Sequence, residues 1–495
     1  MPLLYRKFAR ICDSHGEKVA VIDSNEIHFT YTEIHHLVLD FSIFLSSLGE
    51  FQMTTVITAT KNNLLSMVLS LACNRNGLSY LPLSHKKTKI QLNDCLSYLN
   101  ANTLILSDSN TSKTKIWHTK TFGKLHFTLF RPNPPILSPV SHLSSSSLPF
   151  LYTFSSGSTG IPKLIGFSEV VKYRRNRQGM NIFSITPSDV ILCASSFNHS
   201  LGQRLGFLAL LAGATLILLD DFFPSKYLQR ITDYRVTFII PVASHIHAIF
   251  PFLDEKFTKL KSLRAMVTSS ALINPDVKNH IISTAPFDFF EMYGASEVGT
   301  ATLINFRDFD TKFNSVGRPC PNVKLKIIDK FGKESPSNSV GEILINSKYS
   351  IGSYPFVSDL HNSCFENGYF KTGDLGFLDE QGFLFFKGRK KDIIITGGIN
   401  VFPTYIESKL RVYEDLIDIL IVGLKDFYLG EKPVAIVAGC RDEKVAKIEL
   451  RKLARQELAT YERPFRYYFV QRLYELPSGK IDKSRHFREI NNLQS

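Results

Sequence analysis

Residues 154–163 read FSSGSTGIPK, four hydroxyl side chains and two glycines ahead of a lysine within ten positions. Such a stretch can hold a phosphate. Gly157 and Gly160 let the backbone approach an anion closely, Ser155, Ser156, Ser158 and Thr159 can donate to its oxygens, and Lys163 supplies a point charge at the rim. The plainer alternative is a surface loop, because Ser and Gly clusters commonly punctuate elements. The apolar run before it, LPFLYTF at 148–154, reads as a short buried strand, so the loop is launched from a core element. It is not the common P-loop, in which lysine follows glycine directly, since Ile161 and Pro162 intervene.

Three further stretches carry groups of the right kind. EMYGASEVG, 291–299, places Tyr293, Gly294, Ser296 and Glu297 where a strand should end. Tyr293 can stack on a planar base and Glu297 can hold Mg²⁺ through phosphate or water, although an ordinary turn with an exposed glutamate has the same composition. YFKTGDLG, 369–376, sets Asp374 on a tight turn suited to ribose hydroxyls, and Asp beside Gly is also a common turn pair. LPSGKIDK, 476–483, puts Lys480 on a Pro/Gly loop, from which it can swing into a site or stay in solvent.

The elements that must position these groups follow from the apolar spacing. From residue 55 to about 330, short apolar runs (TTVITAT, GLSYLPL, NTLILSD, VILCASS, ATLILLD, VTFIIPV, LRAMVTSS, ATLINF) alternate with helix-length segments, the signature of an α/β domain with largely parallel sheets. The run 205–219 reads as buried helix, a turn at Gly213, then buried strand. Near 320 the texture changes to strands joined by glycine turns, a small β-rich subdomain. After residue 388 a helix, two strands, a second helix, a strand and a tail suggest a compact α+β domain. The spacing thus predicts two domains, 1–388 and 389–495.

With 495 residues and a 44% hydrophobic fraction, the chain is a multi-domain globular protein, and no run reaches the roughly 18 apolar residues of a membrane span. The N-terminus shows no secretory signal, and seven singly placed cysteines argue against a disulfide framework or a zinc site; a cytoplasmic location is expected. The net charge of +13 suits polyanions or acidic partners, but no nucleic-acid motif is present. The basic runs SHKKTK (84–89) and KYRRNR (172–177) are expected to be solvated faces.

In order and spacing, these motifs, together with GEILI (341–345) and GRKKDIIITGGINVFPTYIE (388–407), resemble the adenylate-forming superfamily of acyl- and aryl-CoA ligases, luciferases and peptide-synthetase adenylation domains, over nearly the whole length. The resemblance implies an enzyme in which a carboxylate attacks the α-phosphate of ATP to give an acyl-adenylate and pyrophosphate, and a thiol then displaces AMP. It implies that Ser155 to Gly160, with Thr159 among the catalytic groups, and Lys163 hold the β- and γ-phosphates. Tyr293 would stack on adenine beside Gly294 and Ser296, Glu297 would hold Mg²⁺, and Asp374 and Arg389 would bind ribose. Lys480 would bridge α-phosphate and substrate carboxylate. Rotation of a small mobile C-terminal domain about Lys391 would then bring Gly397 and Gly398 toward a thiol tunnel. The chain departs from the family at Leu164, usually Gly; at TSSALINP (268–275), usually Gly-rich; and at Glu291, usually Asn or Gln.

SSFNHSLGQ, 195–203, resembles the family's acyl-site segment, with His199 the matched residue, although a lone histidine is often simply part of a core. Amino-acid-activating relatives carry an aspartate there. Asn198 and Ser200, the residues available here, bring no negative charge, so an aliphatic or aromatic acid without an amino group is favoured. The thiol would be coenzyme A or, alternatively, the phosphopantetheine arm of an acidic acyl carrier protein. A non-catalytic nucleotide or acyl sensor on the same scaffold is the alternative from another class.

Overall fold

The computed structural model describes residues 1–47, 55–83, 103–107, 114–122, 125–132, 149–155, 163–269, 273–351, 364–475 and 481–492. Two sheets share a helical layer in the large N-terminal part. The first has nine strands, in the order Arg318–Pro319, Gly299–Asn305, Asp288–Ala295, Ala265–Thr268, Phe238–Ile239, Val190–Cys193, Thr215–Leu218, Val19–Ile22 and His28–Thr30. Its six central strands, from Asp288–Ala295 to Val19–Ile22, run parallel. Their carboxyl ends therefore lie along one edge, where open α/β sheets bind ligands. The second sheet has the order Thr103–Ser107, Thr55–Ala59, Ser79–Leu83, Leu151–Ser155, Lys163–Phe167.

The largest core forms between these sheets. Val56, Tyr80 and Leu151 of the smaller sheet and Val21, Ile191, Leu216 and Val267 of the larger pack against helices Leu3–His15, Tyr31–Ser47, Asn63–Arg75 and Ser200–Ala212. Strands buried on both faces read as continuous apolar runs, which is why they stand out in the sequence. A third, antiparallel sheet (Val323–Ile328, Gly341–Ser347, Tyr369–Leu378, Phe365–Glu366, Leu384–Arg389) is the expected β-rich subdomain.

The smaller C-terminal part is a five-stranded sheet, Ile399–Val401, Ile394–Thr396, Gly430–Ala438, Asp418–Asp426 and Tyr467–Val470. Helices Pro403–Leu410 and Glu443–Glu457 cover one face, and helix Lys483–Asn492 covers the other through Phe487 and Ile490. Among the described residues, no helix is long and apolar enough to cross a membrane.

The sheets are largely parallel as expected, the strand Gly299–Asn305 being antiparallel to its neighbour because a short turn returns the chain directly. Two expectations are corrected. The final segment is a helix and not a plain tail, since Ile490 is covered by the sheet it packs on. The run 172–177 is not one solvated face: Arg174 and Arg177 are exposed, but Lys172 and Asn176 are buried and Arg175 is half-buried. Helical periodicity turns 172, 175 and 176 inward, where Lys172 Nζ donates to Gln203 of the neighbouring helix Ser200–Ala212. The run 84–89 lies outside the described residues.

Candidate functional site

The Ser/Gly loop is the connection of a hairpin. Strands Leu151–Ser155 and Lys163–Phe167 pair antiparallel with Ser155 opposite Lys163, so both backbone ends of the loop are fixed by a five-residue ladder. Residues 156–162, carrying Ser156, Gly157, Ser158, Thr159 and Gly160, lie outside the described residues, as do residues 476–480 with Lys480 and the Ser270–Leu272 portion of the TSSALINP departure.

Two other motifs, far apart in sequence, meet. Tyr293 lies near the end of strand Asp288–Ala295, and its phenol donates to Asp374 Oδ2 at 2.8 Å. Asp374 stands opposite Arg389 in the antiparallel pair Tyr369–Leu378 and Leu384–Arg389, and Arg389 Nε reaches its Oδ1 at 3.2 Å. Asp374 therefore sits in a long strand and not on the tight turn expected; the ladder bulges between residues 375 and 376. The carboxylate is buried; Oδ2 accepts from the phenol and Oδ1 is held by the guanidinium as an ion pair, which offsets part of the cost of desolvating it. Burial, followed by the Asp374 charge, holds the Tyr293 phenol well above its usual range, so it stays a donor. Phe386 lies beside the Tyr293 ring with centroids 6.0 Å apart. A ring beside a buried acceptor can take a flat base and a vicinal diol.

The turn after Tyr293 carries Ser296 and Glu297. Ser296 Oγ lies 3.3 Å from Ser200 Oγ, the first residue of helix Ser200–Ala212, so the segment 198–200 abuts the segment 293–297. His199 is the N-cap of this helix, and the Asn198 carbonyl accepts from Thr153 Oγ1 at 2.9 Å, tying the segment to the strand that launches the Ser/Gly loop. Gly202 is required here: a Cβ would lie 2.3 Å from the Ser196 carbonyl oxygen. At the same sheet edge, His245 stacks on Phe222 with centroids 3.7 Å apart and the rings nearly parallel, and burial lowers its pKa to about 4, leaving a neutral, flat wall.

Glu297 brings a carboxylate to the turn that follows strand Asp288–Ala295. Among the described residues, no three acidic, His or Cys side chains form a cluster, so a cation at Glu297 would take its other ligands from phosphate oxygens and water; that suits Mg²⁺, which retains much of its hydration.

Beyond Arg389, the 3₁₀ turn Lys390–Asp392 leads to Ile394, the first core residue of the small sheet. Lys391 is lowered by burial, and Asp392 pairs with Lys483 at 2.8 Å, three residues past Lys480. Gly397 and Gly398 form the two-residue tip of hairpin Ile394–Thr396 and Ile399–Val401 with φ of 56° and 81°, the left-handed pair such a turn demands.

Two departures have structural counterparts. Leu164 is buried in the hairpin stem. Glu291 is buried against Lys278 of helix Pro275–Thr284, with Nζ to Oε2 at 2.5 Å; Lys278 also donates to the Phe313 carbonyl. The acid in place of an amide is thus matched by a cation thirteen residues earlier. One group with a part in this geometry, Arg175, is hidden in the sequence inside a charge run; its i, i+3 and i+4 spacing from Lys172 was the available signal.

A family model described as AMP-binding enzyme matches residues 8–354. The 2-succinylbenzoate–CoA ligase of Enterococcus faecalis is 30% identical over 339 residues, 68% of each chain. Among solved structures, ATP-bound MatB from Rhodopseudomonas palustris superposes with a TM-score of 0.84 at 22% identity over the whole of both chains. The O-succinylbenzoate coenzyme A synthetase of Bacillus subtilis, in complex with ATP and magnesium ion, does so with a TM-score of 0.81 at 20% identity, covering 97% of this chain and 98% of that one. At these identities, the two solved structures share the fold.

Proposed function

We propose that this chain, which belongs to the AMP-binding enzyme family, joins a carboxylic acid to the α-phosphate of ATP and then passes the acyl group to the thiol of coenzyme A. The observation that carries this reading is the meeting of Tyr293, Asp374 and Arg389 beside a turn whose Ser296 touches Ser200: nucleotide-facing and acyl-facing groups abut. In the first step a substrate carboxylate oxygen bonds to the α-phosphorus, the bond to the β-phosphate oxygen breaks, and pyrophosphate leaves. In the second, the thiol sulfur attacks the acyl carbon, AMP leaves with the electron pair, and the thiol proton is released.

Attack by an anion on a triphosphate requires positive charge aimed between them. Lys480 is assigned that place, and Lys163 with the hydroxyls of Ser155, Ser156, Ser158 and Thr159 holds the β- and γ-phosphates. Mg²⁺, when bound, spreads the phosphate charge. Glu297 is the carboxylate that would hold it. Tyr293, with Gly294 and Ser296, receives adenine, and Asp374 with Arg389 receives ribose. We divide the chain at residue 388, with Lys391 as the hinge that lets Lys480 withdraw and Gly397 and Gly398 approach the thiol. Among Asn198, His199 and Ser200 there is no acidic side chain to pair an ammonium, which supports an acid without an amino group. None of the six described cysteines is in a disulfide, which supports the cytoplasm as location.

Incubation with ATP, Mg²⁺, a panel of acids and either coenzyme A or a phosphopantetheinylated carrier protein, read by mass spectrometry, tests this. Acyl-CoA with AMP and pyrophosphate is expected. A thioester on the carrier alone would replace the acceptor, and ADP with phosphate as products would overturn the chemistry.

A further inference from the structure

The guanidinium of Arg175, in helix Glu169–Ile182, donates to three backbone carbonyls: Ser296 from Nη1 at 2.8 Å, Glu297 from Nη2 at 2.9 Å and Tyr349 from Nε at 2.8 Å. The first two belong to the turn that carries Glu297. The third belongs to the segment leaving strand Gly341–Ser347, and Ile351 N closes the same junction by donating to the Glu297 carbonyl at 2.8 Å. One planar fork therefore fixes a turn of the nine-stranded sheet against the neighbouring antiparallel sheet.

The helix holding Arg175 is tied to the phosphate hairpin. It begins at Ser168, whose hydroxyl caps Val171 N, directly after strand Lys163–Phe167. Arg175 also lies over the Phe167 ring at 5.0 Å from its centroid, and Lys172 lies over it at 3.9 Å. Phe167 is buried, so this contact locks the helix to the stem of the Ser/Gly loop. Gln178, one turn further along, donates to the Thr300 carbonyl at 3.1 Å and holds the far side of the same turn.

We propose that Arg175 is a positioning residue that sets the distance between the phosphate-holding hairpin and the magnesium-holding carboxylate Glu297, and thereby the affinity for Mg·ATP. The inference rests on the reading of Glu297 given above. A guanidinium is suited to this because its fixed fork satisfies several carbonyls in one plane, whereas a lysine ammonium is a point donor. A displacement of about 1 Å in such a scaffold can cost on the order of a hundredfold in rate.

Calorimetric titration of the full chain with ATP in excess Mg²⁺ and with ATP in chelator tests it. The unmodified chain is expected to bind Mg·ATP more tightly than metal-free ATP. Arg175→Lys is expected to shrink that metal-dependent gain by about tenfold or more, while leaving binding of metal-free ATP and the KM for the acid near the parent values. Phe167→Leu, which keeps the guanidinium but removes the ring beneath it, is expected to lose part of the gain and serves if the Arg175 variant does not fold. Variants that melt earlier but retain the full metal-dependent gain would overturn the inference and leave Arg175 a structural tie. A parent that binds both forms of ATP equally would instead remove the role of Glu297, and the inference with it.

Discussion

The Tyr293 phenol donates to Asp374 at 2.8 Å across 81 positions of sequence, and the strand pairing that sets Asp374 opposite Arg389 completes the group. Neither motif is compelling alone; their contact makes a buried carboxylate with a flat ring beside it.

Loss of either member should weaken ATP. Tyr293→Phe keeps the ring and removes one donor, so the KM for ATP in the adenylating step should rise by about three- to tenfold. Asp374→Ala removes a charged acceptor and should raise it by about tenfold to a hundredfold. The KM for the acid should stay nearly constant in both, and initial-rate measurements at varied ATP and varied acid check the contrast.

The two half-reactions should separate. Lys480→Ala should slow adenylate formation by about a hundredfold or more, yet leave thioester formation from supplied acyl-adenylate largely intact. Lys391→Pro should do the reverse by stiffening the hinge. Single-turnover assays of each half-reaction are the check, and equal losses in both steps would contradict the role of Lys480.

The buried pair Lys278–Glu291 should be costly to break. Glu291→Gln brings the chain closer to the family's usual residue but leaves a buried ammonium without its counter-charge, so stability should fall by about 3 kcal/mol. A urea unfolding midpoint measured beside the parent tests this, and an unchanged midpoint would show the pair to be replaceable.

Acid should find a specific weakness at His245. Its pKa falls from 6.5 to about 4 on folding because burial penalises the imidazolium. The depressed group contributes its full share of stability above about pH 6.5 and loses it progressively as pH falls toward 4, at most on the order of 3 kcal/mol. His245→Phe keeps the stack on Phe222 and should flatten that part of the stability curve, as chemical denaturation at several pH values would reveal.

Much of the fold was legible because strands buried on both faces are continuous apolar runs: Thr55–Ala59, Thr215–Leu218 and Ala265–Thr268 stand in the sequence where they stand in the sheets. The family was legible from the order and spacing of its motifs. Asp374 was misjudged because Gly-Asp looks like a turn in isolation, while its strand is fixed by pairing with Gly341–Ser347 and Leu384–Arg389. Arg175 was hidden because its carbonyl partners lie 121 to 174 positions away: the i, i+3, i+4 spacing of 172, 175 and 176 marks one face of a helix, but nothing local says what that face will meet.

The central claim is that this chain makes acyl-adenylates, and acid-dependent ATP–pyrophosphate exchange measures that step directly. With Mg²⁺ present, short, medium and long fatty acids, benzoates, cinnamates and amino acids should be compared in parallel. The account predicts exchange that requires an added acid lacking an amino group and disappears in Lys480→Ala. Exchange supported by amino acids alone would contradict the assigned acyl site, and absence of exchange with every acid, in folded protein that binds Mg·ATP, would contradict the adenylating activity itself.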